Sequence, residues 1–443
     1  MSGTSTADTA TPHEPAGSRP RVLRTFALLV GLVAVAAGGW VLTGERGSPA
    51  YEVWSLDQGT DRVHIYDQDH EQVAVIDVSP AALQAVEPTF APESGRTVPH
   101  MVDFDSGHRY AFIAATAGGA TIVIDTVERT VLAVVPTGPG THMAAVTPDD
   151  DAVWVAVIGA QQLVEIPLDL SVPEPSFAMG RVVDVEDALA GSGLAFPSFA
   201  PVCHDYDGQG RAWVTLGPGM EQGGLVVFDP VTAEVVHAYD PTVVRANCGI
   251  GFTADGSRAV ANWSGIFGAD VEPTEGTWYT FDTASFELLD TRSSGGVDAH
   301  GVRLSPDGQE FWQVNRGSGN GLRIDARTFE VVGPIDAGDT PDILDFSPDG
   351  RRVYLTQRGP NPLSGDPHVA RGSTPGVLVL DATTGAVVTR LDPTPARDTD
   401  GTLRNDVHGI GVRPTTGAER VVVAAPVAFG PVTAGTFGCH LPA

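Results

Sequence analysis

The ten residues AHGVRLSPDG, at positions 299–308, recur in variant form along the chain. Three variants are THMAAVTPDD at 141–150, NCGIGFTADG at 247–256 and PDILDFSPDG at 341–350. In each, a side chain that can bind a metal is followed six residues later by a Pro-Asp or Ala-Asp turn. Three further copies, two of them looser, open at His100, His204 and His408. Seven copies at intervals of about 40 to 66 residues predict a repeat protein.

Each copy continues as a series of short apolar segments. The first alternates apolar and polar residues up to the Pro-Asp turn, and a second, such as FWQVN at 311–315, often carries an aromatic residue. A third ends in Asp, as in VLVLD at 377–381, and a fourth closes the unit, as in AVVTRL at 386–391. Alternation, β-branched residues and Gly/Pro turns indicate strands, and four short antiparallel strands per repeat are typical of a β-propeller blade.

The sequence therefore predicts an all-β, seven-bladed propeller of four-stranded antiparallel blades over residues 51–430. Strand-like segments at 53–77 precede the first opening residue, whereas a first strand without partners follows His408. A blade shared by both chain ends would close the ring and remove the open sheet edge. RVVVAA at 420–425 competes with VWSL at 53–56 for one position in that blade, so the sequence does not decide whether there is an eighth, partial blade. Longer intervals predict insertions at about 172–200, 266–276 and 359–375.

The segments HGVRLSPDG, PDILDFSPDGRRVYLT and VLVLDATTGAVV resemble the YVTN or YncE-like propeller repeats, which belong with the propellers of nitrous oxide reductase and cytochrome cd1. The resemblance covers roughly residues 51–430. It implies the fold, but this architecture hosts many unrelated activities. Nitrous oxide reductase-like propellers hold copper with histidines from successive blades, so the resemblance implies a copper site of this kind here.

Composition excludes several function classes. A net charge of −29 and a pI near 4.5 argue against nucleic acid as a partner, because nucleic acid is bound through basic patches. The 26 basic residues are all arginine, which excludes lysine chemistry. There is no CxxCH motif for c-type haem, and the Gly-rich turns are not followed by a helix signal, so no nucleotide motif is present.

The N-terminal residues predict a location outside the cytoplasm. Residues 1–24 are polar and predicted to be a disordered cytoplasmic segment, with arginines at its end. The uncharged stretch 25–44 is long enough for a transmembrane helix and is predicted to be an anchor, with a cleaved signal sequence as the alternative. A linker at 45–50 leads to the propeller, and 431–443 form a C-terminal tail. The propeller is thus expected on the extracytoplasmic side of the cell membrane, or secreted.

Three cysteines suit a disulfide in that compartment. Cys203 with Cys248 and Cys248 with Cys439 are rival pairings that the sequence does not decide.

Equivalent repeat positions lie on one ring around a propeller channel. The predicted ring of metal ligands is His100, His142, His204, Cys248, His300, Asp342 and His408. Converging imidazoles are typical of Cu or Zn sites. The competing interpretation is that these side chains only bond a neighbouring blade's backbone, that Cys248 is a disulfide partner, and that Asp342 caps a turn.

These residues lead to one functional hypothesis and two alternatives. The first is a membrane-anchored binding protein with a Cu or Zn site in the channel, active in metal handling or metal-dependent redox chemistry. One alternative is a metal-free scaffold for a protein or cell-envelope ligand. The other is a lactonase-like or lyase-like enzyme in which His300 and Asp342 supply the general base.

Overall fold

The structure is a computed structural model and describes residues 50–415, except residues 218, 220, 221 and 248. The predicted segments 1–24, 25–44 and 431–443, and the strand at 420–425, lie outside these residues. Among the helices that the structure describes, none is long and apolar enough to cross a membrane.

The strands of the described residues form seven four-stranded antiparallel sheets, the blades. Numbered in chain order, β1 (Tyr51–Asp57), β2 (Arg62–Asp67) and β3 (Gln72–Asp77) belong to the closing blade. Blade 1 contains β4 (Pro99–Phe104), β5 (Tyr110–Ala115), β6 (Ala120–Asp125) and β7 (Thr130–Pro136). Blade 2 contains β8 (Thr141–Val146), β9 (Ala152–Val157), β10 (Gln162–Pro167) and β11 (Val182–Asp184). Blade 3 contains β12 (Pro201–Tyr206), β13 (Ala212–Leu216), β14 (Leu225–Phe228) and β15 (Val235–Tyr239).

The remaining strands complete the ring. Blade 4 contains β16 (Ile250–Phe252), β17 (Arg258–Trp263), β18 (Thr277–Asp282) and β19 (Leu288–Ser293). Blade 5 contains β20 (Ala299–Leu304), β21 (Glu310–Asn315), β22 (Asn320–Asp325) and β23 (Val331–Asp336). Blade 6 contains β24 (Pro341–Phe346), β25 (Arg352–Gln357), β26 (Gly376–Asp381) and β27 (Val387–Leu391). The closing blade is completed by β28 (Val407–Pro414). Two short helices, α1 (Pro80–Leu83) and α2 (Val185–Leu189), and a 3-10 turn, Ile158–Ala160, lie between strands.

Both ends of the propeller contribute to the closing blade, whose strand order is β28-β1-β2-β3. The segment VWSL lies in β1 and pairs with β28, with Val53 opposite Val412. The described residues therefore confirm a seven-bladed ring, in which VWSL occupies the contested position. In blade 2 the outermost strand, β11, lies inside the segment 172–200 that the sequence assigned to an insertion.

A buried aromatic side chain on the second strand of most blades fills the space between neighbouring sheets. Each of these side chains is almost fully buried: Phe112, Trp154, Trp213, Trp312, Tyr354 and, in the closing blade, Trp54. These side chains occupy the same position in the strand pairing of their blades, so they mark equivalent residues in different blades. Five of them pair with the first-strand residue three positions after a predicted ring residue, for example Arg303 with Trp312 and Asp345 with Tyr354. The exception is Trp213, which pairs with Asp205.

Candidate functional site at the propeller channel

A β-bulge on the innermost strand positions the ring residues. In β4 the residues Pro99 and Met101 pair with consecutive residues of β5, which leaves His100 as the extra residue. The same irregularity follows Thr141 in β8, Ala299 in β20 and Pro341 in β24, and it occurs in β28. A bulge bends the strand locally and re-aims a side chain. The repeated bulge thus turns His100, His142, His300, Asp342 and His408 away from the regular alternation of their strands.

Four histidines and one aspartate of the predicted ring meet in one cluster. The rings of His100 and His408 are stacked with centroids 3.8 Å apart, and His142 Nε2 lies 2.9 Å from His100 Nε2. His300 Nε2 lies 3.0 Å from Asp342 Oδ1, and His408 Nε2 lies 3.7 Å from Asp342 Oδ2. Ligand-type atoms of His300, Asp342 and His408 all lie within 4.8 Å of one another, a spacing that could hold a metal ion.

The predicted ring member His204 is not brought into this cluster. The bulge of β12 falls at residues 202 and 203, between the paired residues Pro201 and His204. Asp205 pairs with the marker Trp213, so the residue at the ring position is Val202. His204 is instead fully buried, with its ring edge-on to the ring of Tyr206. The shortened spacing from His204 to Trp213 was the sequence signal of this shift.

The predicted ring member Cys248 and the C-terminal Cys439 lie outside the described residues, so both disulfide pairings stay predictions. Cys203 lies in β12 and is half-buried.

Two histidines anchor their rings on the backbone of the next blade. His142 Nδ1 donates to the carbonyl of Val202 at 2.9 Å, and His408 Nδ1 donates to the carbonyl of His100 at 3.1 Å. Because a neutral imidazole carries one proton, these bonds leave Nε2 of both rings with its lone pair. The backbone role expected of the ring residues is therefore present, and it leaves the nitrogen that faces the cluster able to bind a ligand.

Two buried arginines that are not part of the predicted ring hold Asp342. Arg358 Nη1 lies 2.7 Å from Asp342 Oδ2, and Arg316 Nη1 lies 3.1 Å from Asp342 Oδ1. Each arginine also binds a second buried aspartate, Arg358 with Asp406 at 2.8 Å and Arg316 with Asp298 at 2.6 Å. This site contains three carboxylates and two guanidinium groups, so it keeps one net negative charge while its imidazoles are neutral.

The sequence contained a signal for these partners in residue types that recur at equivalent repeat positions. Asp298 and Asp406 each stand two residues before a ring histidine, and Arg316 and Arg358 each directly follow a second strand. The two arginines lie in successive blades, 5 and 6, whereas the two aspartates precede the first strands of blade 5 and of the closing blade. Arg316 therefore binds the aspartate of its own blade, and Arg358 that of the next blade.

The surroundings favour neutral imidazoles and an ionised aspartate. Burial lowers the pKa of His408 to about 3, with Arg358 acting in the same direction and Asp342 opposing it. Burial and the guanidinium of Arg316 hold the pKa of His300 well below its ordinary value. Burial alone would raise the pKa of Asp342, but His408 and Arg316 beside it keep the pKa of that carboxyl below its ordinary value. Neutral imidazole and carboxylate are the forms that bind metals.

The cluster is mostly closed to solvent. The side chains of Asp342 and His408 are 0% and 2% exposed, whereas that of His300 is 14% exposed. The predicted insertion after β25 lies against the arginines: Ser364 accepts from Arg358, and the backbone N–H of Leu363 donates to Asp406. Solvent therefore reaches the cluster mainly past His300 and the half-buried His142.

Comparisons with known proteins identify the fold. No protein-family model matches the chain, and no curated protein sequence matches it. The chain is similar in structure to Kuenenia stuttgartiensis hydrazine synthase, with a TM-score of 0.53, 14% identity and coverage of 72% of this chain and 89% of that one. It is also similar to the Dos1 propeller, with a TM-score of 0.51, 14% identity and coverage of 81% and 89%. At these identities the similarity establishes the propeller fold alone. The predicted membership of the YVTN/YncE-like family stays a prediction, because no family model matches the chain.

Proposed function

We propose that the propeller binds a transition metal ion, copper or zinc, in its channel through His300, Asp342 and His408. The observation that carries the proposal is the triad itself, whose ligand-type atoms lie within 4.8 Å of one another on three successive first strands of the ring. Two imidazoles and one carboxylate suit Cu or Zn better than Mg or Ca. His142, with its lone pair on Nε2, is a further imidazole of the cluster.

The arrangement of the histidines supports the proposal. Metal-binding histidines commonly donate their second ring nitrogen to a carbonyl or carboxylate, which fixes the ring and the tautomer. His408 and His142 have this arrangement. The arginines disfavour positive charge at His300 and His408, but the three carboxylates outnumber the two guanidinium groups, so the site as a whole favours a cation. His300 Nε2 donates to Asp342 Oδ1 at 3.0 Å, so His300 could bind a metal through Nε2 only with its proton on Nδ1.

Elemental analysis of untagged protein after loading with Cu²⁺ or Zn²⁺ tests the proposal. We expect close to one metal ion per chain in the wild type and almost none in the double variant His300→Ala/His408→Ala. The control is His237→Ala/His368→Ala, which removes two histidines outside the cluster and should retain the metal. Wild-type protein that stays metal-free after both loadings would exclude the proposed function.

A second candidate rests on the 3.0 Å contact between His300 and Asp342. A histidine oriented by a carboxylate can act as a general base, as in a lactonase-like or lyase-like enzyme. Hydrolysis of lactone or depsipeptide substrates in the presence of EDTA tests this candidate. Activity that persists without metal and disappears in His300→Gln would support it over the metal site.

For location we propose an extracytoplasmic propeller, anchored in the cell membrane by residues 25–44 or secreted after cleavage. The support is the uncharged N-terminal stretch with arginines before it. Alkaline carbonate extraction of membranes should leave an anchored protein in the pellet. A pull-down from the same membranes tests the scaffold hypothesis of a protein or cell-envelope ligand.

A further inference from the structure

The ring residue His100 is bonded differently from His142 and His408. We propose that His100 is not a metal ligand but donates a hydrogen bond from Nε2 to a small ligand held by the metal, and that Gln58 assigns it this role. The inference rests on the proposed metal site. Nδ1 of His142 and His408 faces a backbone carbonyl, whereas Nδ1 of His100 faces the side-chain nitrogen of Gln58 at 2.5 Å.

The orientation of the Gln58 amide is fixed by its other contacts. Its oxygen accepts from Arg358 Nη2 at 3.3 Å and from Ser364 Oγ at 2.9 Å. An arginine can only donate, so the amide oxygen must face it and the amide nitrogen must face His100. The backbone of Gln58 is also held, since its N–H donates to Asp406 and its carbonyl accepts from Arg96. Gln58 is therefore a fixed hydrogen-bond donor to His100 Nδ1.

This donor determines the tautomer of His100. An imidazole nitrogen that accepts a hydrogen bond carries a lone pair, so the single proton of neutral His100 resides on Nε2. That N–H faces His142 Nε2 at 2.9 Å, which carries a lone pair because His142 Nδ1 donates to Val202. The hydrogen bonds thus run in one direction, from Gln58 through His100 and His142 to the backbone.

The direction of these bonds separates two roles within the cluster. For His100 Nε2 to bind a metal, its proton would have to move to Nδ1, which faces the Gln58 donor, whereas the lone pairs of His142 and His408 are already present. If the metal takes the lone pair of His142, the N–H of His100 loses its acceptor while His100 remains 1% exposed. A buried donor without a partner is unfavourable, and a metal-bound ligand with an acceptor atom would satisfy it. The class of ligand is a small anion or an oxygen-containing molecule, because the cluster is nearly closed.

Nitrogen NMR of histidine-labelled, metal-free protein reads the tautomers directly. We expect a proton on Nε2 of His100 and on Nδ1 of His142 and His408, with signals assigned from the His100→Gln and His142→Gln variants. In Gln58→Glu the carboxylate accepts from Nδ1, so the tautomer of His100 should reverse. A proton on Nδ1 of His100 in the wild type would overturn the inference, whether or not the protein binds metal.

Azide, a small anion, tests the donor role in copper-loaded protein. His100→Phe should retain the copper content and the number of coordinated nitrogens seen by electron paramagnetic resonance, while azide affinity falls roughly tenfold. Loss of copper or of one coordinated nitrogen in His100→Phe would make His100 a ligand and overturn the inference. Unchanged azide affinity would also overturn it. Failure of the wild type to load copper would instead overturn the proposed function and leave the NMR result standing.

Discussion

At the scale of single residues, the site depends on charges buried in compensating pairs. Arg358 is fully buried and contacts Asp342 and Asp406, each also fully buried. A buried ion pair is costly to desolvate, but removal of one partner leaves an uncompensated charge in a low-dielectric interior. The position of the Asp342 carboxylate therefore depends on Arg316 and Arg358, which lie in different blades and each bind a second aspartate as well.

Arg358→Met is expected to reduce the free energy of unfolding by about 3–5 kcal/mol, because two carboxylates lose their common partner. Urea unfolding followed by circular dichroism measures this change. The control is Arg351→Met, since the Arg351 side chain is 74% exposed and lies 3.8 Å from Asp349. It should change stability by less than about 0.5 kcal/mol. Equal effects of the two substitutions would contradict the assigned network.

At the scale of elements, the turn between the third and fourth strands has the same hydrogen-bonding pattern in several blades. The carboxylate of the aspartate that ends the third strand accepts backbone N–H groups two and three residues further on. Three such aspartates are Asp282, Asp325 and Asp381. The N–H and hydroxyl groups of the turn lower the pKa of each carboxyl below its ordinary value. The aspartates that the sequence showed at strand ends therefore hold the turns.

Acid should weaken these turns. A carboxyl whose pKa is lower in the folded state contributes stability above its unfolded pKa, and this contribution is lost as the pH falls through the folded pKa. The melting temperature of the wild type should thus fall as the pH drops from about 4 toward 2. The triple variant Asp282→Asn/Asp325→Asn/Asp381→Asn keeps acceptor oxygens without titration, so its melting temperature should fall less over this range. Differential scanning calorimetry at each pH checks this, and parallel curves would refute it.

At the scale of the whole molecule, the candidate site lies where the ring closes. The ligand-type residues come from β20, β24 and β28, and β28 is held in the ring by its pairing with β1 near the other end of the propeller. Buried Glu52 of β1 joins this closure, because it binds Arg413 of β28 and Arg129 of blade 1. A metal bound by the triad would join blades 5 and 6 to β28, the strand that closes the ring.

Metal binding should therefore stabilise the whole propeller. A ligand that binds only the folded state at a thousand times its dissociation constant adds about 4 kcal/mol. We expect Zn²⁺ to raise the melting temperature of the wild type by a few degrees and to leave His300→Ala/His408→Ala unchanged. Thermal unfolding with and without Zn²⁺ measures this. A similar rise in the double variant would place the stabilising ion elsewhere.

The sequence by itself predicted the propeller of four-stranded blades, the strand order within them and the four histidines that meet, but it left open an eighth partial blade, which the pairing of β1 with β28 decided. Repeats encode strands and turns through local patterns, and equivalent positions of a ring then follow from rotation. Only the tertiary structure decided that Val202 rather than His204 holds the ring position, because a bulge in β12 sets the register. It also decided that Gln58 and Arg358, 300 residues apart, meet beside His100. Such contacts depend on ring closure, and no local pattern encodes them.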